Sequence, residues 1–146
     1  MAMKGFGNAD LSDIRDLELE NNIKLPNDYI DFLLRFNGGD VEPTDENSIY
    51  IEEFGEGINV DVLFGIQTKE VELSVEFWSN KYRNEMPHDV IIIGDSYQHG
   101  FIVLLCSGEN AGIYYWDDTY EFECSNDENN TYFIADTFTD FVKGLI

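Results

Sequence analysis

The chain has 146 residues, 43% of them hydrophobic, with thirty Asp and Glu against eight Lys and Arg and a net charge of -22. That length suits one domain over residues 1–146, burying roughly 70% of its unfolded surface, and eleven Phe, eight Tyr and two Trp exclude an acidic disordered tail. So anionic a surface repels bare nucleic acid and anionic lipid, and neither a membrane-span run nor a signal-peptide core is legible, so a cytoplasmic location is expected.

Ser12 to Asn21 is predicted as a first helix, with Leu11, Ile14 and Leu17 on one face and Asp10, Asp13, Asp16, Glu18 and Glu20 on the others. Pro26 fits the first position of a second helix, and Asp28 complements the positive end of its dipole. Tyr29, Phe32, Leu33 and Phe36 form its apolar stripe. Asn37-Gly38-Gly39 ends it with residues that accept left-handed backbone. Asp40 to Asn47 reads as an acidic turn-rich segment. Ser48 to Glu52 and Asn59 to Ile66 read as short strands around Gly55-Glu56-Gly57. Thr68 is placed as the cap of a third helix carrying Val71, Val75, Trp78 and Tyr82 before Pro87.

The second half is β-rich. Val90 to Ile93 and Phe101 to Cys106 are apolar, β-branched runs suited to central strands, joined through Gly94 to Gly100. Gly112 to Trp116 and Tyr120 to Cys124 add two more, the last alternating so that one face is wet. Ser125 to Asn130 is a polar loop, and Thr137 caps a closing helix striped by Phe138, Phe141, Val142 and Leu145. The sum is an α+β domain: a mainly antiparallel sheet of about five to six strands flanked by N-terminal, middle and C-terminal helices. Tyr29, Phe32, Leu33, Phe36, Phe138 and Phe141 are assigned to its core.

Catalytic patterns are scarce. His88 and His99 are the only histidines, and Asp95, Ser96 and His99 share one turn, whereas a triad converges from separate elements. No phosphate loop, zinc motif or Cys-x-x-Cys occurs. Cys106 and Cys124 read as buried reduced thiols, with a disulfide between them left open. The acids are unevenly placed: eight with no Lys or Arg from Phe36 to Thr68, and twelve with none from Asn84 to Val142. Two clusters stand out as partner-binding candidates: Asp117, Asp118, Glu121 and Glu123 beside the aromatic anchor Trp116, and Glu52, Glu53 and Glu56. Aromatic residues beside charge are the composition of a protein–protein hot spot. The expectation is a binding protein, not an enzyme, with no catalytic residue, cofactor or metal. Two alternatives remain at this level: an acidic nucleic-acid mimic or intracellular regulatory binding protein, and a carboxylate-based metal-dependent enzyme.

Leu25-Pro26, Asp28-Tyr29, Phe32-Leu33 and Asn37-Gly38 in that order resemble the N-terminal signature of the SUKH superfamily. Leu63-Phe64-Gly65, Ile93-Gly94-Asp95 with Gly100, Ile113 to Asp117, and Ala135 to Phe138 with Phe141 are similar to later segments of that family. Asp118, where relatives often carry His, and Phe101, where an acid is common, depart from its pattern at positions expected to face a partner. The resemblance implies an immunity protein that binds the toxin domain of a bacterial polymorphic or contact-dependent inhibition effector, often a nuclease, and occludes it. Some relatives serve as intracellular regulators, including fungal cell-wall regulators. The implied partner is a cognate toxin, with no direct nucleic acid or membrane contact; the oligomeric state stays open between monomer and weak dimer.

Overall fold

The computed structural model describes residues 3–42, 48–120, 124–127, 129–143 and 145. In chain order these form β1 (Met3–Gly5), α1 (Leu11–Asn21), α2 (Asn27–Arg35), β2 (Gly39–Val41), β3 (Ser48–Ile51), β4 (Glu56–Leu63), α3 (Val75–Lys81), β5 (Val90–Ser96), β6 (Phe101–Leu105), β7 (Gly112–Trp116), β8 (Thr131–Ala135) and α4 (Phe138–Lys143). Every strand pairing is antiparallel, in the order β1-β2-β4-β5-β6-β7-β8 with β3 on β4. The α+β class is therefore as the sequence implies, but the described residues contain eight strands rather than five to six. The three extra are short or unpatterned. β1 and β2 have three residues each, too few to show alternation, and β8 follows a polar loop. β7 pairs with β8, and the strand expected over Tyr120–Cys124 falls mostly outside the described residues. Tyr120 and Cys124 are not in a strand, and Glu121, Phe122 and Glu123 lie outside the described residues, as does the 43–47 part of the acidic turn segment.

The second helix is well patterned, with its ends shifted. Pro26 is the N-cap of α2 rather than its first residue, and the helix stops at Arg35. Tyr29, Phe32 and Leu33 are buried as predicted, but Phe36 is 41% exposed because it lies past the last turn. Asn37 (φ 49°) and Gly38 (φ 83°) then reverse the chain in left-handed backbone. A Cβ on Gly38 would lie 2.4 Å from the Leu63 carbonyl oxygen, and one on Gly65 would lie 2.1 Å from that of Asn37. The two segments touch backbone to backbone, so both glycines are required. Asn37 fastens the contact: its Nδ2 donates to the Ile66 carbonyl at 2.9 Å and its Oδ1 accepts from the Ile66 N–H at 2.8 Å.

Other acids are structural. Glu18 is buried, where it accepts from the Leu25 N–H at 2.8 Å and pairs with Arg15 at 2.7 Å. It pins the α1–α2 connection rather than decorating a wet face, while Leu11 is exposed. Asp28 Oδ2 accepts from both the backbone N–H (2.9 Å) and the hydroxyl (2.8 Å) of Thr139. It thereby satisfies a free donor in the first turn of α4. Tyr29, Phe32 and Phe138 meet in this seam, Phe138 lying 5.0 Å from Tyr29 and 4.9 Å from Phe32 between ring centroids. The Asp140 N–H donates to Thr137 Oγ1 at 3.0 Å, the predicted cap. The third helix is capped differently: Ser74, not Thr68, accepts from the Phe77 N–H at 3.2 Å. Val71 falls in a preceding 3-10 turn and is exposed. Among the described residues no helix is long and apolar enough to cross a membrane.

Candidate functional site

Side chains alternate along a strand, and cross-strand partners share a face. The register Val103↔Tyr114↔Phe133, with Leu105↔Val90 and Trp116↔Thr131, therefore sets these side chains on one face of β5–β8. The neighbours Ile102, Leu104, Ile113, Tyr115 and Tyr132 point the other way and are buried. On that opposite side α4 packs against β7 and β8, and α2 against α4.

The first face is only partly roofed. Its cover is α3, which packs on β5. Trp78 lies 5.3 Å from Phe101, and Tyr82 lies 5.4 Å from both Phe101 and Trp116. Phe101 is thus a buried member of an aromatic cluster, so its departure from the family pattern falls inside the molecule rather than at the expected surface. Beyond this roof the sheet face forms a groove of about 580 Å³, within the usual range for ligand sites. Val90, Val103, Leu105, Tyr114 and Trp116 make its floor; Met86, Pro87, Asn110, Asn130 and Thr131 edge it. Phe133, 44% exposed and 5.7 Å from Tyr114, extends the aromatic surface outward.

All charged residues in the groove lining are acids: Glu85, Asp118 and Asp127. Two hydroxyls are drawn into the wall. Tyr120 donates to Asp127 Oδ1, and Tyr114 to the Asn110 carbonyl, each at 2.5 Å. Asp118 Oδ1 has no accessible surface and no hydrogen-bond partner. Burial foremost, and then the charges of Asp117 and Glu85, hold the Asp118 carboxyl above the usual carboxylate range. Burial together with Asp118 and Glu85 likewise pushes the Tyr82 hydroxyl up. Lys81 sits nearby, but over the rings of Trp78 (5.1 Å) and Tyr82 (5.7 Å). Across the described residues the one ion pair between side chains is Arg15–Glu18, away from the groove.

The sequence candidates separate. Trp116 and Asp118 both line the groove. Asp117, one residue away, has 0% exposure, and its backbone N–H donates to the Asn130 carbonyl at 2.8 Å. Its side chain is buried rather than on the groove surface. Glu121 and Glu123 lie outside the described residues. Glu52 and Glu53, in a 3-10 turn, and Glu56, opening β4, are exposed at the tip of the β3–β4 hairpin and are absent from the groove lining. Glu85, Asp127 and Tyr114 are groove residues the acid-cluster reading missed. They come from three separate segments, so only the fold unites them.

The rival chemistries find less support. Ser96 is buried, with its hydroxyl donating to the Gly100 carbonyl at 3.0 Å and lying 2.9 Å from the Tyr115 hydroxyl. His99 is exposed on left-handed backbone (φ 75°). Ser96 and His99 therefore serve turn geometry, while Asp95, within β5, accepts from the Val62 N–H; a Cβ on Gly100 would meet the Tyr115 hydroxyl at 2.2 Å. Among the described residues no three His, Cys, Asp or Glu are grouped to hold a metal ion. Both thiols are free; Cys106 is half-buried with its pKa pushed up to about 12 by burial, and Cys124 is exposed rather than buried as expected.

A family model described as SMI1 / KNR4 family (SUKH-1) matches residues 8–144. No curated protein matches the chain.

Proposed function

The chain belongs to the SMI1 / KNR4 family (SUKH-1), and from that premise we propose that it is a cytoplasmic immunity protein, one domain that binds a cognate toxin domain and blocks it without chemistry of its own. The carrying observation is the aromatic groove whose charged lining residues are all acids, set in a molecule of net charge -22. The partner favoured by this surface is a nuclease domain, because an enzyme that cuts nucleic acid must present cationic side chains to phosphate. Carboxylates at Glu85, Asp118 and Asp127 occupy such a site in place of phosphate, while Trp116 and Tyr114 supply the desolvated centre that hot spots require. Glu52, Glu53 and Glu56 act at longer range, adding to the field that speeds encounter toward ~10⁸ M⁻¹s⁻¹ at low salt.

The test is co-expression with the toxin domain encoded beside this gene. Rescue of growth and a purifiable one-to-one complex are expected. A catalytically active toxin that kills cells despite abundant folded partner would overturn the proposal. A general nucleic-acid mimic is distinguished in the same assay, because it would bind unrelated DNA-binding proteins as tightly as this toxin.

A further inference from the structure

Resting on the immunity reading, we infer that the groove is the seat of one arginine side chain of the partner, its guanidinium held by Asp118 and Glu85 and its stem laid on Trp116 and Tyr114.

Three independent observations converge on this occupant. First, the floor is aromatic and aliphatic while the charged rim is acidic throughout, so neither a purely apolar nor an anionic segment matches it. An apolar segment would strip water from three carboxylates without pairing them, which is costly. Second, Asp118 Oδ1 is buried without a donor. A buried acceptor left unmade is worth more to satisfy than an exposed one, and the broad χ2 torsion of Asp lets this oxygen turn toward an incoming group. Third, Glu85 and Asp118 line the same groove, and the Glu85 charge disfavours that of Asp118; a cation between them removes that repulsion.

Arginine suits this arrangement better than lysine. Its guanidinium is planar and weakly hydrated, stacks on aromatic faces, and offers donors in several directions to more than one carboxylate. Lysine is a strongly hydrated point charge, and the apolar floor offers nothing to replace its water. Lys81 does not fill the role itself, since it is already placed over Trp78 and Tyr82 on the α3 side.

The experiment uses the whole chain and needs no toxin. N-acetyl-arginine methylamide is titrated into ¹⁵N-labelled protein, with the citrulline analogue as an uncharged isostere and the lysine analogue as a point charge. Saturable shifts of the Trp116 indole N–H and of the Tyr114, Asp118 and Thr131 amides are expected with arginine. The lysine probe should bind at least several-fold more weakly, and citrulline should produce no saturable shift. Asp118→Asn, isosteric and checked for an unchanged melting curve, should weaken the arginine response about tenfold. Equal responses to arginine and citrulline, shifts spread over all acidic surfaces, or an unaffected Asp118→Asn variant would each overturn the assignment. Should the arginine response appear while the toxin is not neutralised, the seat stands and the immunity role falls. Rescue of growth without the response leaves the immunity role standing and removes the seat.

Discussion

Asp95 sits at the end of β5, where the fold makes a carboxylate work against itself. Its Oδ1 accepts from the Val62 N–H at 3.0 Å, yet its pKa is raised from 3.8 to about 6, first by burial and next by the charge of Asp61. A carboxyl whose folded pKa lies above its unfolded value holds its proton more tightly when folded. Stability therefore falls as pH rises from about 4 through about 6, and the full cost is present at pH 7. A displacement of about 2 pH units corresponds to about 3 kcal/mol. Residual solvent and the stronger bond that a charged acceptor makes to Val62 reduce the net gain on neutralisation to about 1–2 kcal/mol. Asp95→Asn keeps the acceptor and removes the charge, so urea unfolding at pH 7 should show it more stable than the parent by that amount. The advantage should shrink as pH approaches 4, where the parent carboxyl is itself protonated. A variant less stable at pH 7, or one whose advantage is the same at every pH, would refute the reasoning.

Neighbouring acids should respond in opposite ways. Asp118→Lys should fold normally and lose partner binding, whereas Asp117→Lys forces a longer side chain of opposite charge into a position with no exposure and should lower stability by about 3 kcal/mol or more; thermal melts of the two separate them. Asn37→Ala leaves both backbone groups of Ile66 unpaired and should destabilise by about 2–4 kcal/mol in chemical unfolding. Tyr29→Phe should be neutral or stabilising by up to about 1 kcal/mol, because the Tyr29 hydroxyl is buried without a partner and burial pushes its pKa well above the ordinary tyrosine value; a loss above about 1 kcal/mol would mean that the hydroxyl is satisfied in solution.

Helices α1, α2 and α4 are legible in the sequence because their apolar residues recur with the helical period, and α4 also carries its local cap, Thr137. β5, β6 and β7 are legible as β-branched or aromatic runs. What escapes is set by distance along the chain. β1 and β2 exist because they pair with each other and with β4, and three residues carry no pattern that announces it. The residues that carry the family resemblance include Asp28-Tyr29, Asn37-Gly38 and Gly65, and in the structure these hold elements together: Asp28 caps α4, Asn37 clasps Ile66, and Gly38 and Gly65 allow two backbones to touch. The signature thus reads out the scaffold. The candidate site is half legible. Trp116 and Asp118 follow from an aromatic beside acids, but alternation puts Asp117 inside, and Glu85 and Asp127 reach the same groove from segments far apart in sequence. Acidic clusters in a sequence cannot tell a carboxylate that holds the fold, such as Glu18, from one that faces a partner.

The central claim is that the anionic groove face, and not the acidity of the molecule at large, captures the toxin. Surface plasmon resonance against the immobilised toxin domain, over salt from about 50 to 500 mM, tests it most directly, since screening suppresses steering across that range. Glu85→Lys with Asp118→Lys should weaken affinity at least a hundredfold at every salt, while Glu52→Lys with Glu53→Lys, the same change in net charge, should slow association mainly at low salt and leave dissociation unchanged. Equal losses from the two double variants would contradict the account.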